Sequence, residues 1–227
     1  MPLRQRVVPA VAIAAAVLFS GLLPCLPVRP VAAAKPEKPY TVYAGAYTKP
    51  PKKGEAPPPK VKTIKSFMKG LTVTVEVADQ ARRTEYLTSV DPGMGDLFPA
   101  RAGRPDKRLA FIVTLANAGP DPVVFNPGNI ALATDNGEHV FPLDQSDFYM
   151  AAEQAKVADL QRVLDRTSMV LFDQSVSLRA GEGLTRIVLF KALEAKWKQL
   201  QVHFSYVQIG SETHTLTFSF HKQEEEG

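Results

Sequence analysis

From Leu71 the chain alternates. Leu71, Val73, Val75 and Val77 fall on one side and Thr72, Thr74 and Glu76 on the other, the period-two signature of a half-buried strand. The stretch from Arg108 to Leu143 repeats the theme several times. Phe111, Val113 and Leu115 alternate up to a turn at Asn117-Ala118-Gly119-Pro120. Val123 to Phe125 and Ile130 to Thr134 follow as short strands. Asp135-Asn136-Gly137, whose Asn-Gly pair tolerates the positive φ of tight hairpins, then leads into Val140 to Leu143. Further on, Val176 to Leu178 precedes a turn at Arg179 to Gly183. Leu184 to Phe190 is an apolar run broken only by Arg186, which predicts a central strand. Leu200, Val202, Phe204 and Tyr206 alternate, Gly210-Ser211 turns the chain, and Leu216, Phe218 and Phe220 complete the set. One segment has helical spacing instead. Ser146 can cap it, Asp147 suits its positive end, and Met150, Val157, Leu160 and Leu164 recur along one face up to Arg166. About eight strands with regular turn signals and one inserted helix predict an all-β fold, an immunoglobulin-like β-sandwich, with the helix packed over one end.

Two segments are not required by a sandwich. Asp79 to Lys107 reads as a long polar connection punctuated by Pro and Gly, and connections of that length are usually functional or disordered. It carries Arg82, Arg83, Tyr86, Leu97 and Phe98, a mixture suited to protein contact, and these are the predicted partner-binding residues. Trp197, between Lys196 and Lys198, reads as a plug at the sandwich edge rather than a ligand platform.

Composition adds an address. Arg4 and Arg6 precede an apolar stretch from Val7 to Leu23, and Ala32-Ala33-Ala34 offers small residues for cleavage before Lys35, so residues 1–34 read as a signal peptide. The alternative is a retained anchor, for which the apolar stretch is short and contains Pro9. Cys25 is the only cysteine; it is either removed with the leader or, as the lesser alternative, acylated as in a lipoprotein. Residues 35–69 read as a Pro/Lys-rich linker, with Tyr40, Tyr43 and Tyr47 interleaved as a candidate docking peptide. Residues 70–222 form the domain, and 223–227 an acidic tail. The formal charge of +4 is unevenly spread, since residues 35–69 carry +7 and residues 70–227 carry −6. An acidic domain argues against nucleic acid as a partner. Contact with a membrane is left to an N-terminal anchor or the basic linker.

The order of these signals resembles the immunoglobulin-like domain of unknown function found in bacterial lipoproteins and exported proteins, related in fold to the mycobacterial immunoprotective extracellular antigens. The likeness rests on Asn117-Ala118-Gly119 closing an alternating strand, on Leu132 to Gly137 as a Leu-rich strand with its Asp-x-Gly hairpin, and on Ala180-Gly181-Glu182 before Ile187 to Phe190. It covers about residues 70–221. It implies export and a non-enzymatic binding or assembly role, and supplies no catalytic residues.

Chemistry-bearing motifs are sparse. His139, His203, His214 and His221 show no zinc-motif spacing, although His203 and His214 could meet across neighbouring strands. No Gly-x-Ser-x-Gly elbow occurs, and Gly93-Met94-Gly95-Asp96 lacks the strand and helix context of a phosphate loop. Asp91, Asp96 and Asp106 lack the ligand density of a calcium loop. The expectation is an extracytoplasmic, cell-envelope binding or scaffold module without catalytic, cofactor or metal residues, contacting another envelope protein. Two alternatives stay open: an exported hydrolase or metal-dependent enzyme on a sandwich scaffold, and a periplasmic chaperone or inhibitor working through an edge strand.

Overall fold

The alternating stretches pair into two antiparallel sheets that are not closed into a barrel. The computed structural model describes residues 40–46, 60–94, 107–154, 156, 159–194 and 196–224. The predicted signal peptide, with Cys25, lies outside them, as do Tyr47, Leu97 and Phe98.

The four-stranded sheet has the order β2 (Thr63–Met68), β3 (Leu71–Val77), β4 (Leu109–Asn117), β9 (Gly183–Phe190). The other sheet runs from β1 (Tyr40–Ala44) through β11 (Glu212–Glu224) to β10 (Gln199–Ile209). The far edge of β10 is shared. Its first half pairs with β6 (Ile130–Thr134), which carries β7 (His139–Val140), and its last residues pair with β5 (Val123–Phe125), which carries β8 (Val176–Leu178). Period-two alternation sends Leu71, Val73, Val75, Phe111, Val113 and Phe190 from one sheet and Phe125, Leu132, Phe204, Phe218 and Phe220 from the other into a single apolar core.

Three α-helices lie among the described residues: α1 (Gln80–Val90), α2 (Gln145–Gln154) and α3 (Leu160–Val170). They cover part of the outer face of the four-stranded sheet rather than one end of the sandwich. Tyr86, Leu87, Phe148 and Val170 meet Ala110, Ile112, Ile187 and Leu189 in a second apolar cluster. Arg166 ties the layer together, ion-paired with Asp91 at 2.9 Å and donating to the Gly93 carbonyl at 2.8 Å.

Several expectations are corrected. Eleven strands, not about eight, occur among the described residues, and three helices replace the single one. The segment read as one helix from Ser146 to Arg166 forms two, and Asp144 rather than Ser146 caps the first by accepting from the backbone N–H groups of Ser146 and Asp147. The stretch 35–69 is not wholly a linker. Tyr40–Ala44 and Thr63–Met68 are strands, because Val42 enters the core against β11 and β2 forms a hairpin with β3. In that hairpin Lys69 and Gly70 both have positive φ, as a two-residue type I′ turn requires. Gln223 and Glu224, read as tail, pair with β1. The run Leu184–Phe190, expected as a central strand, lies in the last strand of its sheet. Its apolar character has another cause: Ile187 and Leu189 lie under the helices, Val188 and Phe190 face the opposite sheet, and the backbone of Leu143 and Phe172 hydrogen-bonds along its edge.

Candidate binding surface

The predicted contact residues of the 79–107 segment begin on α1, not on a loop. Asp79 caps the helix, accepting from Arg82 N at 2.9 Å, and its carboxylate takes a 2.7 Å hydrogen bond from Lys62. That bond, reinforced by the Arg82 amide, holds the Asp79 carboxyl below its ordinary range. Arg82 is half-buried and lies along β3, with Nε 2.8 Å from Glu76 and Nη1 3.1 Å from Glu85. Arg83 and Tyr86 point inward and are only 2% and 7% exposed. The Tyr86 hydroxyl donates to the Thr185 carbonyl at 3.0 Å, and burial raises its ionisation above the ordinary phenol range, with Arg186 opposing. Arg83 and Tyr86 are therefore corrected from contact residues to packing residues. A helix with one face on a sheet must bury every third or fourth side chain, and these two occupy that face.

His203 and His214, which could have met across neighbouring strands, do not. His203 pairs in register with Thr217, and His214 lies three positions before Thr217 on β11, so the two imidazoles leave opposite faces of the sheet. His203 looks outward, its Nδ1 3.0 Å from the Thr217 hydroxyl, and burial followed by the charge of His139 pushes its ionisation down. His214 holds its Nε2 buried, 3.6 Å from Glu212 and without a hydrogen bond. Among the described residues no group of three or more His, Cys, Asp or Glu is placed to hold a metal ion. Trp197 is 5% exposed and belongs to the core, its ring edge-on to Tyr40 at 5.8 Å, with Lys222 Nζ 4.0 Å from the Tyr40 centroid. Tyr40, read as part of a docking peptide, is thereby packed against the core.

What stands open is β2. It pairs with β3 on one side, and no described strand pairs with its other edge. Ile64, Ser66 and Met68 turn toward the core side, while Lys65 and Phe67 turn outward, Phe67 with 75% exposure. The register extends these two into rows across the sheet, Lys65–Thr74–Thr114–Thr185 and Phe67–Thr72–Ala116–Gly183. These rows lie beyond the helices. They make a flat floor of short side chains beside one exposed aromatic ring, and Thr114 and Thr185 share a 3.0 Å hydroxyl contact on it. Sequence reading missed this edge because Phe67 falls on the polar phase of the alternation and Lys60, Lys62, Lys65 and Lys69 give the segment the look of a linker. The signal that could have found it is the Lys69-Gly70 turn directly before an alternating strand.

No family model and no curated protein sequence matches the chain. Among solved structures, the yjhA protein from Bacillus subtilis is similar, with 14% identity and a TM-score of 0.36 over 63% of this chain and 77% of that one.

Other large apolar side chains are exposed elsewhere, among them Phe141 and Tyr206. Tyr206 has φ +58 and stands at the irregularity where β10 slips against β11 between Phe204 and Val207.

Proposed function

We propose that the chain is an exported, non-enzymatic binding module of the cell envelope, built as an immunoglobulin-like sandwich, that takes up an extended segment of another envelope protein along β2. The observation that carries the reading is the backbone edge from Thr63 to Met68, unpaired among the described residues, with Phe67 exposed next to it. An added strand would continue the four-stranded sheet through main-chain hydrogen bonds and take its specificity from alternate side chains. Lys65 limits self-pairing, since a lysine on an edge repels the same lysine in a second copy, and it favours an acidic residue opposite. The apolar, Arg-led N-terminal stretch and the likeness in turn chemistry to exported immunoglobulin-like domains support the address.

The test is site-specific photo-crosslinking in the native cells, with the reactive residue at position 67 and, as control, at Phe141, which is also well exposed. An adduct at 67, weaker at 141 and lost on Lys65→Pro, which removes an N–H facing the open edge, in a chain that still folds, is the expected result. Equal adducts at both positions, or none at 67, would remove β2 from the reading. Mass measurement of the mature N-terminus tests export in the same preparation; an intact leader would count against it.

A further inference from the structure

On the side away from β1 and β2, β8 ends one sheet and β9 ends the other. A cleft of about 100 Å³ opens there, closed off by the chain that leaves α3. Phe172, Val176 and Leu184 give it apolar walls, and Asp173 and Arg186 bring opposite charges to it. The Asp173 Oδ1 atom is buried and accepts no hydrogen bond. Arg186 donates from Nη1 to the Thr185 carbonyl at 3.0 Å. Asp173 and Arg186 both line the cleft and form no direct ion pair with each other, so a carboxylate and a guanidinium border the same small space. Burial raises the Asp173 carboxyl above its ordinary range, opposed by a backbone hydrogen bond and the charge of Arg186, with the charge of Asp144 adding to the rise.

The charge pair selects among ligands. A bare cation would satisfy Asp173 and be repelled by Arg186, and a bare anion would meet the reverse. A neutral dipole, donor at one end and acceptor at the other, satisfies both. The volume is about that of three waters in the liquid, enough for a group of a few heavy atoms and too little for a cofactor. We propose that this cleft is a binding site for a small donor–acceptor dipole, a primary carboxamide such as a Gln or Asn side chain presents, its N–H on Asp173 and its carbonyl on Arg186. The zwitterion of a small free amino acid carries the same pairing of donor and acceptor. The site lies apart from β2 and does not depend on strand addition there.

The experiment is amide NMR of the full chain titrated separately with acetamide, glycine, methylammonium and acetate, up to about 50 mM because so few heavy atoms bind weakly. Saturable shifts at the amides of Gln174 to Val176 and Leu184 to Arg186 are expected with acetamide, glycine or both. The stronger of the two identifies the side-chain or the free-amino-acid source. Asp173→Ala and Arg186→Gln should each weaken this binding at least tenfold while leaving the core resonances in place, and Phe67→Asp should leave it unchanged. Three results would overturn the assignment: no saturable shift, which makes the cleft a water site only; binding that survives both substitutions; or methylammonium or acetate binding as well as acetamide.

Discussion

Asn117 shows how much a single turn residue can hold. Its side-chain amide donates to the carbonyls of Asp121 at 2.8 Å and Leu178 at 3.1 Å, and its carbonyl oxygen accepts from Gly119 N at 3.0 Å. The residue is buried, and its backbone bonds to Gly181 and Glu182 in the turn before β9. One residue thus joins the turn after β4 and the end of β8 through its side chain, and the turn into β9 through its backbone. Removing it strands several polar groups at once, and each buried unsatisfied group costs about 1–3 kcal/mol. Asn117→Ala should therefore destabilise the domain by about 3 kcal/mol in urea titration. Asn117→Asp should be no milder, since it keeps the acceptor but loses both donated bonds and buries a charge. Gly70 supplies a second residue-scale contrast. A Cβ there would lie 2.4 Å from the Gly119 Cα, whereas a Cβ on Gly181, also at positive φ, would meet nothing within 4 Å. Gly181→Ala should cost about 1 kcal/mol, the left-handed backbone penalty alone. Gly70→Ala should cost clearly more, with thermal melts of the two variants as the comparison.

At the scale of elements, α1 depends on Asp79. Replacing this N-cap with Ala should cost about 1 kcal/mol, and the exposed partnership with Lys62 adds little. Asp79→Asn should retain most of the cap. Because the folded carboxyl is held below its ordinary value, its ionic contribution is complete above the unfolded carboxylate pKa and is lost as pH falls through the lowered folded one. Melting temperatures of wild type and Asp79→Asn should accordingly differ at neutral pH and converge in acid. That α1 exists at all was poorly legible. Its charged, Pro/Gly-flanked surroundings resemble a loop, and the few apolar residues that dock it, Tyr86 and Leu87, make sense only against Ala110 and Ile112 on the sheet beneath. The hairpins were far more legible. Gly137 takes φ +87 and Gly210 φ +59 where turns were expected, because positive φ is a local demand that local sequence must meet. Even there one detail differs: only Gly137, and not Asn136, adopts positive φ, and Asn136 instead donates to the Lys196 carbonyl at 2.8 Å.

At the scale of the whole molecule, the side where β8 and β9 face each other carries a cost in stability. Asp173 is raised by burial, so between the unfolded and folded pKa values the native state binds the extra proton, and stability falls as pH rises through that window. Asp173→Asn should therefore stabilise the domain at neutral pH, raising Tm by about 2–4 °C if about 1 kcal/mol is relieved. The gain should vanish in acid, below the ordinary carboxylate range, where wild type is protonated in both states. A gain that persists at low pH would show that charge is not the cause. On the opposite side, β1 is tied to the residues before β2 by the bond from Ala44 N to the Val61 carbonyl at 2.7 Å, and no described strand pairs with the outer edge of Thr63–Met68.

By itself the sequence determined the strand-forming stretches from Leu71 onward, their turns, and a β-rich fold of two faces, because alternation and positive φ are properties of neighbouring residues. It also determined the uneven charge and the apolar, Arg-led start. Only the tertiary structure decided which strands lie at edges, that Tyr40–Ala44 and Thr63–Met68 join the sheets, that Arg83 and Tyr86 are packing residues, and that Asp173 and Arg186 share a cleft. Each of these depends on contacts between residues far apart in the chain, where burial and pairing are settled by a partner surface that no local pattern encodes.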